Sequence, residues 1–456
     1  MSVNGNVSFW YREIGLPVRR DSLAGAVEAD VCVVGAGFTG LWTAYYLKKA
    51  DPALRVVIVE REFAGFGASG RNGGWLSGQI AGAPARYAKE HGAAAVRGLQ
   101  RAMNASVDEV IAVAAAEGID ADVVKSGILR VAHAPAQLPR LRAAARTARE
   151  WGNPDETPLS AREVTDRINV DGALGGLFNP HCARIQPAKL VQGLAAAVTR
   201  LGVTIYESTP VTAIEPGRAR TPFGDVRARY VIRATEGFTA GLAGERRTWL
   251  PMNSSMIATE PLPADLWAEI GWDGCELLND QTHAYMYAQR TADGRIAIGG
   301  RGIPYRFGSR TDRRGRTQAW TVRELRDILT RLLPGTTRVR VDHAWCGVLG
   351  VPRDWCSSVD LDRSTGLGYA GGYVGHGVTT TNLAGRTLAD LVTGADTPLV
   401  RLPWVGHHVR KWEPEPLRWL GVQAMYAAYR AADRAEDGRR MTTSPIATIA
   451  DRISGR

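Results

Sequence analysis

Lysine is scarce in this chain of 456 residues: six of its 56 basic residues are lysine, at positions 48, 49, 89, 125, 189 and 411. None lies between Lys189 and Lys411, so that long middle stretch offers no ammonium group. The five cysteines, Cys32, Cys182, Cys275, Cys346 and Cys356, show neither CxxC nor metal-type spacing. An odd, scattered set indicates neither a disulfide framework nor a structural zinc, and it fits a reducing cytoplasm. The opening MSVNGNVSFWYREIG has no basic stretch followed by an apolar one. No run of about 20 residues is uniformly apolar, and the longest candidate, 31–47, is interrupted by glycines at 35, 37 and 40. Neither an export signal nor a membrane span is expected. Repeats and low-complexity tracts are absent as well.

Basic residues outnumber acidic ones by 10, but the excess is dispersed. Its densest stretches, 310–316 and 434–440, are short, carry acids and lack stacking aromatics, so nucleic acid is not an expected partner. With 45% apolar and 22% charged residues the chain has ordinary globular usage, which excludes wholesale disorder, a coiled coil or a collagen-like fibre. Its length suits two or three domains or one large interleaved unit. Glycine is the excess, at 51 residues gathered in blocks, as expected where something approaches the backbone closely.

The β-branched run at 29–34 reads as a strand buried on both faces. A glycine turn follows, then a helix at 41–50 and a second strand at 55–60, a βαβ opening. Residues 65–78 form a glycine-rich loop, and 87–117 read as a helix. Further helices are expected at 138–151 and 188–201, and strands at 129–133, 203–207, 211–214 and 230–234. From 252 to 300 the pattern becomes alternating, with Ala292, Asp293 and Gly294 as a hairpin turn. A helix at 317–333, a strand at 339–345, a glycine loop at 371–377 and a helix at 379–392 complete the body. The fold class expected is α/β, with an antiparallel region inserted into a doubly wound one. The spans are a polar arm at 1–28, a nucleotide-binding domain at 29–250 and 340–400, an antiparallel substrate domain at 251–339 and a helical tail at 401–456. The tail's Trp412, Trp419, Met425, Tyr426 and Tyr429 are expected to pack on the body or on a second subunit.

The strongest local motif is Gly35-Ala36-Gly37-Phe38-Thr39-Gly40 between a strand and a helix, with Glu60 about twenty residues further on. Gly35 turns the chain, Gly37 admits a pyrophosphate to the helix N-terminus, and Gly40 allows close helix–strand packing. Glu60, at the end of the second strand, is placed to accept ribose hydroxyls. This predicts dinucleotide binding without separating NAD from FAD.

Four further blocks separate them: GFGASGRNGG at 65–74, Ala234-Thr235-Glu236-Gly237, Trp345-Cys346-Gly347, and GGYVGHG at 371–377. Together with the first motif they resemble the D-amino acid oxidase superfamily of FAD enzymes over about residues 9–394, most closely the gamma-glutamylputrescine oxidase-like and glycine/sarcosine oxidase-like branch. The resemblance implies a Rossmann-like FAD domain interleaved with an antiparallel substrate domain. It implies that Gly35, Gly37 and Gly40 cradle the pyrophosphate and that Glu60, with Arg61 beside it, holds the adenosine ribose. Ala68, Ser69, Arg71, Asn72 and Gly73 line the pyrophosphate and flavin edge. Val211 meets adenine, and Ala234 and Thr235 lie beside the cofactor. Gly375, His376, Gly377, Val378 and Thr379 face the flavin and ribityl chain. A glycine loop opening a helix near Thr379 would present free N–H groups to the negative charge that reduced flavin gathers at its N1/C2=O edge. In some relatives a cysteine tethers the flavin; here that position falls on Gly347, with Cys346 one residue off and facing the other way, so FAD is expected to be non-covalent.

The implied activity is oxidation of a C–N bond in a small amine or amino acid by hydride transfer to flavin N5. The imine then hydrolyses to a carbonyl compound, and oxygen reoxidises the flavin with release of peroxide. Some relatives place a lysine over the flavin for the oxygen step, which the gap from 190 to 410 denies to this chain. For substrate, Tyr285 and Tyr287 are read as alternating onto one strand face, with Arg290 or Arg353 pairing a carboxylate or phosphonate. Tyr287 and His376 are the catalytic candidates, and no metal is expected. A flavin monooxygenase and a flavin-binding subunit of an amine dehydrogenase complex are the alternatives, and a homo-oligomer is left open.

Overall fold

The computed structural model describes residues 3–300, 305–312, 314–436 and 440–454. Positions 313 and 437–439, parts of the two densest basic stretches, lie outside the described residues. The expected βαβ opening is present: the strands Val27–Val34 and Val56–Val59 pair in parallel, joined by the helix Phe38–Ala50. Thr204–Tyr206 adds on one side, Gly224–Arg233 and Leu367–Gly371 on the other, all parallel. The helices Phe38–Ala50, Pro187–Arg200 and Gly377–Thr393 cover one face through Leu41, Leu194 and Leu383. The hairpin strands Ala213–Glu215 and Arg218–Thr221 flank the other face, where Val34, Val59 and Val231 are buried. Burial on both faces is why these strands are almost continuously apolar. Val34 is in register with Val59 and with Arg233, so the residues that follow, Gly35, Glu60 and Ala234, emerge together along one sheet edge.

Among the described residues a second sheet has nine strands, in the order Val3–Asn4, Val341–Val351, Leu250–Thr259, Ile296–Gly300, Tyr287–Arg290, Leu277–Asp280, Ile128–Ala132, Gly175–Asn179 and Thr157–Ser160. It is antiparallel except where Val3–Asn4 meets Val341–Val351 and where Leu277–Asp280 meets Ile128–Ala132. The sheet reaches beyond the expected 251–339 span on both sides. Thr157–Ser160 and Gly175–Asn179, read as TPLS and GGLFN, are too short and too poor in alternation to announce themselves as strands.

In-register partners share a face of the sheet. The row Leu129, Leu278, Ala288, Ile298, Ile257 and Ala344 is buried against the helix Ala319–Leu332 through Leu325 and Ile328. The adjacent row, Arg130, Asn279, Tyr287, Gly299, Met256 and Trp345, therefore looks the other way, toward the nucleotide domain. Between the sheets lies the supposed polar arm. Its helix Phe9–Ile14 buries Phe9, Trp10 and Tyr11 against Phe63, Met256 and Trp345. The tail packs on the body: the Trp412 indole donates to the Val351 carbonyl at 2.7 Å. No helix of the described residues is long and apolar enough to cross a membrane.

Candidate functional site

A cleft of about 400 Å³ opens at the sheet edge where Gly35, Glu60 and Ala234 emerge. Gly35 has φ +109°, and a Cβ there would stand 2.6 Å from the Ala234 carbonyl oxygen. A Cβ on Gly40 would meet the Gly35 carbonyl oxygen at 2.0 Å, so the first turn of the Phe38–Ala50 helix presses on the loop only because position 40 has no side chain. Gly37 caps that helix, and a Cβ there would project to within 2.9 Å of the Ser69 hydroxyl. Ser69 Oγ accepts the Phe38 N–H at 2.8 Å, tying the 65–74 loop to the helix N-terminus.

Glu60 closes the same turn from the next strand. Its carboxylate accepts the N–H groups of Ala36 and Glu62, both at 2.9 Å, and burial pushes it above the ordinary carboxylate range. Arg61, Ala68, Ser69, Asn72, Val211, Ala234 and Thr235 line the cleft with it. Asn72 is fixed by donating to the Ala68 and Ser69 carbonyls.

Arg71 is buried but does not line the cleft. It stacks on Phe66 and donates to the Phe66 and Cys346 carbonyls at 2.8 and 3.2 Å, holding the loop against the Val341–Val351 strand beside Gly347. Cys346 lies buried on the face away from Trp345 and Gly347, its thiol pushed up to about 11 by burial. Gly73 faces the ring of Tyr287, which a Cβ would approach to 2.8 Å. Burial raises the Tyr287 phenol to about 12, and its hydroxyl pairs with Ser254 at 2.9 Å.

The 371–377 turn forms the opposite wall. Gly375 has φ +97° and Val374, unusually for a branched residue, φ +47°. Gly375, Gly377 and Val378 line the cleft where the helix Gly377–Thr393 begins. Thr379 is fully buried, and its hydroxyl has no hydrogen-bond partner among the described residues. His376 caps the helix, with its imidazole held neutral by burial and by Arg130, down to about 4.

Glu236 is the site residue that sequence reasoning passed over, although its block was quoted for its neighbours. It sits at φ +41°, lines the cleft, and accepts the N–H groups of Gly372 at 3.0 Å, Tyr373 at 3.1 Å and Gly350. One carboxylate thus joins the ends of three chain segments. Burial pushes it up to about 7 despite those donors.

Three expected substrate residues stand elsewhere. Tyr285 precedes the Tyr287–Arg290 strand and is 40% exposed, so the expected strand alternation with Tyr287 does not exist. Arg290 stacks on Trp267 and pairs with Asp273 at 2.9 Å. Arg353 pairs with Glu413 at 3.1 Å and stacks on Trp412. Neither lines the cleft, because both guanidiniums are consumed by local partners. Away from the cleft, Asp354, Cys356 and His407 bring donor atoms within 4.8 Å of one another, and the His407 imidazole is already bonded to Asp354 at 2.8 Å.

The donor set fits FAD. Two helix N-termini, at Gly37 and at Gly377, meet at one cleft that Glu60, Ser69 and the Gly375 turn also line, which suits a dinucleotide with its pyrophosphate against free N–H groups. Comparison with known proteins agrees. Gamma-glutamylputrescine oxidoreductase of Escherichia coli (strain K12) is 31% identical over 383 residues, 82% of this chain and 86% of that protein. The crystal structure of glycine oxidase from Geobacillus kaustophilus superposes with a TM-score of 0.68 at 22% identity, covering 84% of this chain and 100% of the other. L-proline dehydrogenase from P. horikoshii gives a TM-score of 0.69 at 18% identity over 83% and 98% of the two chains. The family model for FAD dependent oxidoreductases, DAO, matches residues 30–391, and the chain belongs to that family.

Proposed function

We propose that this FAD-dependent oxidoreductase oxidises the C–N bond of a small amine or amino acid, with hydrolysis of the resulting imine to a carbonyl compound and dioxygen as the electron acceptor. The observation that carries the reading is the joint emergence of Gly35, Glu60 and Ala234 at one sheet edge, opposite the 371–377 turn, in a chain of this family. The relatives' names, gamma-glutamylputrescine oxidoreductase and glycine oxidase, point to amine or amino-acid substrates. FAD held here, without a covalent tether since position 347 is glycine, would supply a hydride acceptor and a route for two electrons to reach dioxygen.

The chain's own residues bind and align. Gly35, Gly37 and Ser69 shape the pyrophosphate cradle, and Glu60 holds the ribose. The N–H groups at the start of the Gly377–Thr393 helix offer a positive dipole end to negative charge. Tyr287 stays a neutral phenol, and His376 a neutral imidazole, over the working pH range. Neither then has to act as a base, since alignment of a neutral amine is sufficient for hydride departure.

The test is to exclude air and add polyamines, N-methyl amino acids, D-amino acids and aminophosphonates to the FAD-loaded chain. Bleaching of the visible flavin band by an amine or amino acid supports the reading. Bleaching by NAD(P)H alone favours a monooxygenase, and no bleaching favours an electron-transfer subunit. A dehydrogenase is the second reading, favoured by the absence of lysine from 190 to 410; readmitting air and measuring peroxide separates the two.

A further inference from the structure

Three segments far apart in the sequence meet beside Gly372, the second residue of the 371–377 turn. One is the connection at 352–357, between the strands Val341–Val351 and Ser358–Asp362. A Cβ on Gly372 would stand 2.4 Å from Pro352 Cγ and 3.3 Å from the Cys356 carbonyl oxygen, so the connection lies directly against the turn. The second is the start of the tail. It is clamped to the body by backbone bonds, from the Val359 N–H to the Trp404 carbonyl at 3.2 Å and from the Gly406 N–H to the Val359 carbonyl at 3.0 Å. The third is the helix that begins at Pro84. Its Tyr87 hydroxyl donates to the Ser357 carbonyl at 2.7 Å, and its ring centroid lies 5.2 Å from that of His407.

At this junction Asp354, Cys356 and His407 bring a carboxylate oxygen, a sulfur and a ring nitrogen within 4.8 Å of one another. Among the described residues no other three such side chains come together in this way. Zinc ligands at bond lengths of about 2.0–2.3 Å in a tetrahedron stand about 3.3–3.6 Å apart, so small movements bring all three onto one ion. Orientation is built in. Asp354 Oδ1 accepts the Cys356 N–H at 3.0 Å, which turns Oδ2 toward His407 Nε2, at 2.8 Å. Cys356 and His407 are buried, whereas the Asp354 side chain keeps 17% of its surface and leaves a way in. A set of sulfur, nitrogen and oxygen donors suits a zinc-like ion, where calcium or magnesium would take oxygen alone.

We propose that Asp354, Cys356 and His407 form a divalent metal site of the zinc type, with water in the fourth position, that ties the start of the tail to the connection beside Gly372. On binding, the Cys356 S–H bond breaks, its proton goes to water and the sulfur becomes a ligand. The imidazole binds through Nε2 with its proton on Nδ1, in place of the hydrogen bond to Asp354. No electron is transferred. None of the three residues lines the cleft, so the ion is structural and independent of what the cleft oxidises.

The experiment uses the untagged, FAD-loaded full chain. It is equilibrated with Zn²⁺, desalted in the presence of a weak chelator and analysed for metal by mass spectrometry. The proposal predicts about one zinc ion per chain. Cys356→Ser and His407→Gln should each bind it about a hundredfold more weakly or worse, since even a residue that only orients a ligand costs about tenfold to hundredfold. FAD content of each variant checks its fold. Co²⁺ is then supplied in place of Zn²⁺, and the spectrum is read at wavelengths longer than the oxidised flavin band. Intense bands of a tetrahedral ion in wild type support the proposal, and they decide the matter should either variant not fold. Wild type that retains no zinc, variants that retain as much as wild type, or a weak octahedral Co²⁺ spectrum overturns the proposal and leaves the flavin reading standing.

Discussion

The amide nitrogen of Tyr373 lies 3.1 Å from the carboxylate of Glu236, each residue standing just past the end of one of two paired strands of the nucleotide sheet. With Gly372 and Gly350 as further donors, this one acid holds the 371–377 turn in its left-handed conformation. A glutamine cannot replace it, because its NH₂ group would face donors. Glu236→Gln should cost about 2 kcal/mol or more of stability, the value of at least one charged hydrogen bond, and should weaken FAD binding. Thermal melts and flavin titration check both.

The pH dependence of that site has a definite sign. Burial raises the folded Glu236 carboxyl from 4.5 to about 7, so the folded state holds the proton more tightly than the unfolded one. Its linked contribution is fully present below about 4.5 and is lost as pH rises through about 7. In flavin-free protein, the stability of wild type relative to Glu236→Gln should therefore fall between pH 4.5 and 7 and then level off. Denaturant unfolding across that range measures it, and a difference that rises with pH contradicts the assignment.

Gly37→Ala and Gly40→Ala should fail differently. The alanine methyl at 37 meets a movable hydroxyl, Ser69 Oγ, and intrudes where a phosphate would lie, so this variant should fold and lose flavin. At 40 it meets the Gly35 backbone carbonyl at 2.0 Å, which nothing local can relieve. That variant should accumulate poorly or unfolded, as circular dichroism and solubility will show.

His376 should leave no mark on activity near neutral pH. Its imidazole, pushed down to about 4, is already neutral there. Reductive rates should show no inflection near 6.5 from this residue, and His376→Asn should keep the shape of the profile between pH 5.5 and 8. An inflection near 6.5 that the substitution abolishes would give the imidazole a proton-transfer role.

Tyr287→Phe removes a hydroxyl whose structural partner is Ser254. It should cost about 0.5 to 1.5 kcal/mol of stability, an ordinary hydrogen bond, and leave FAD binding unchanged. A reductive rate lowered by about a hundredfold or more would restore the residue to a direct part in the chemistry.

What could be read from the chain alone was local. The Gly35 turn, the Phe38–Ala50 helix and Glu60 lie within one βαβ unit, where spacing alone brings them together. Glu236 was hidden inside a block read for its small residues, and its role depends on N–H groups more than a hundred positions away. Arg130 and Asn279 meet Tyr287 only through strand pairing, which neither composition nor periodicity specifies. Arg290 and Arg353 were proposed because arginine suits carboxylates; with so many arginines, only their observed partners reveal which are occupied. Thr157–Ser160 and Gly175–Asn179 were invisible because short strands without alternation resemble loops.

The central claim is that the cleft between Gly35, Glu60, Ala234 and the 371–377 turn holds FAD. The most direct measurement is the visible absorption of the purified chain, followed by titration of its flavin-free form with FAD. A yellow protein, or one that takes up about one FAD per chain and fails to do so as Gly37→Ala, is the predicted result. A colourless wild-type chain that folds yet takes up no FAD would contradict it.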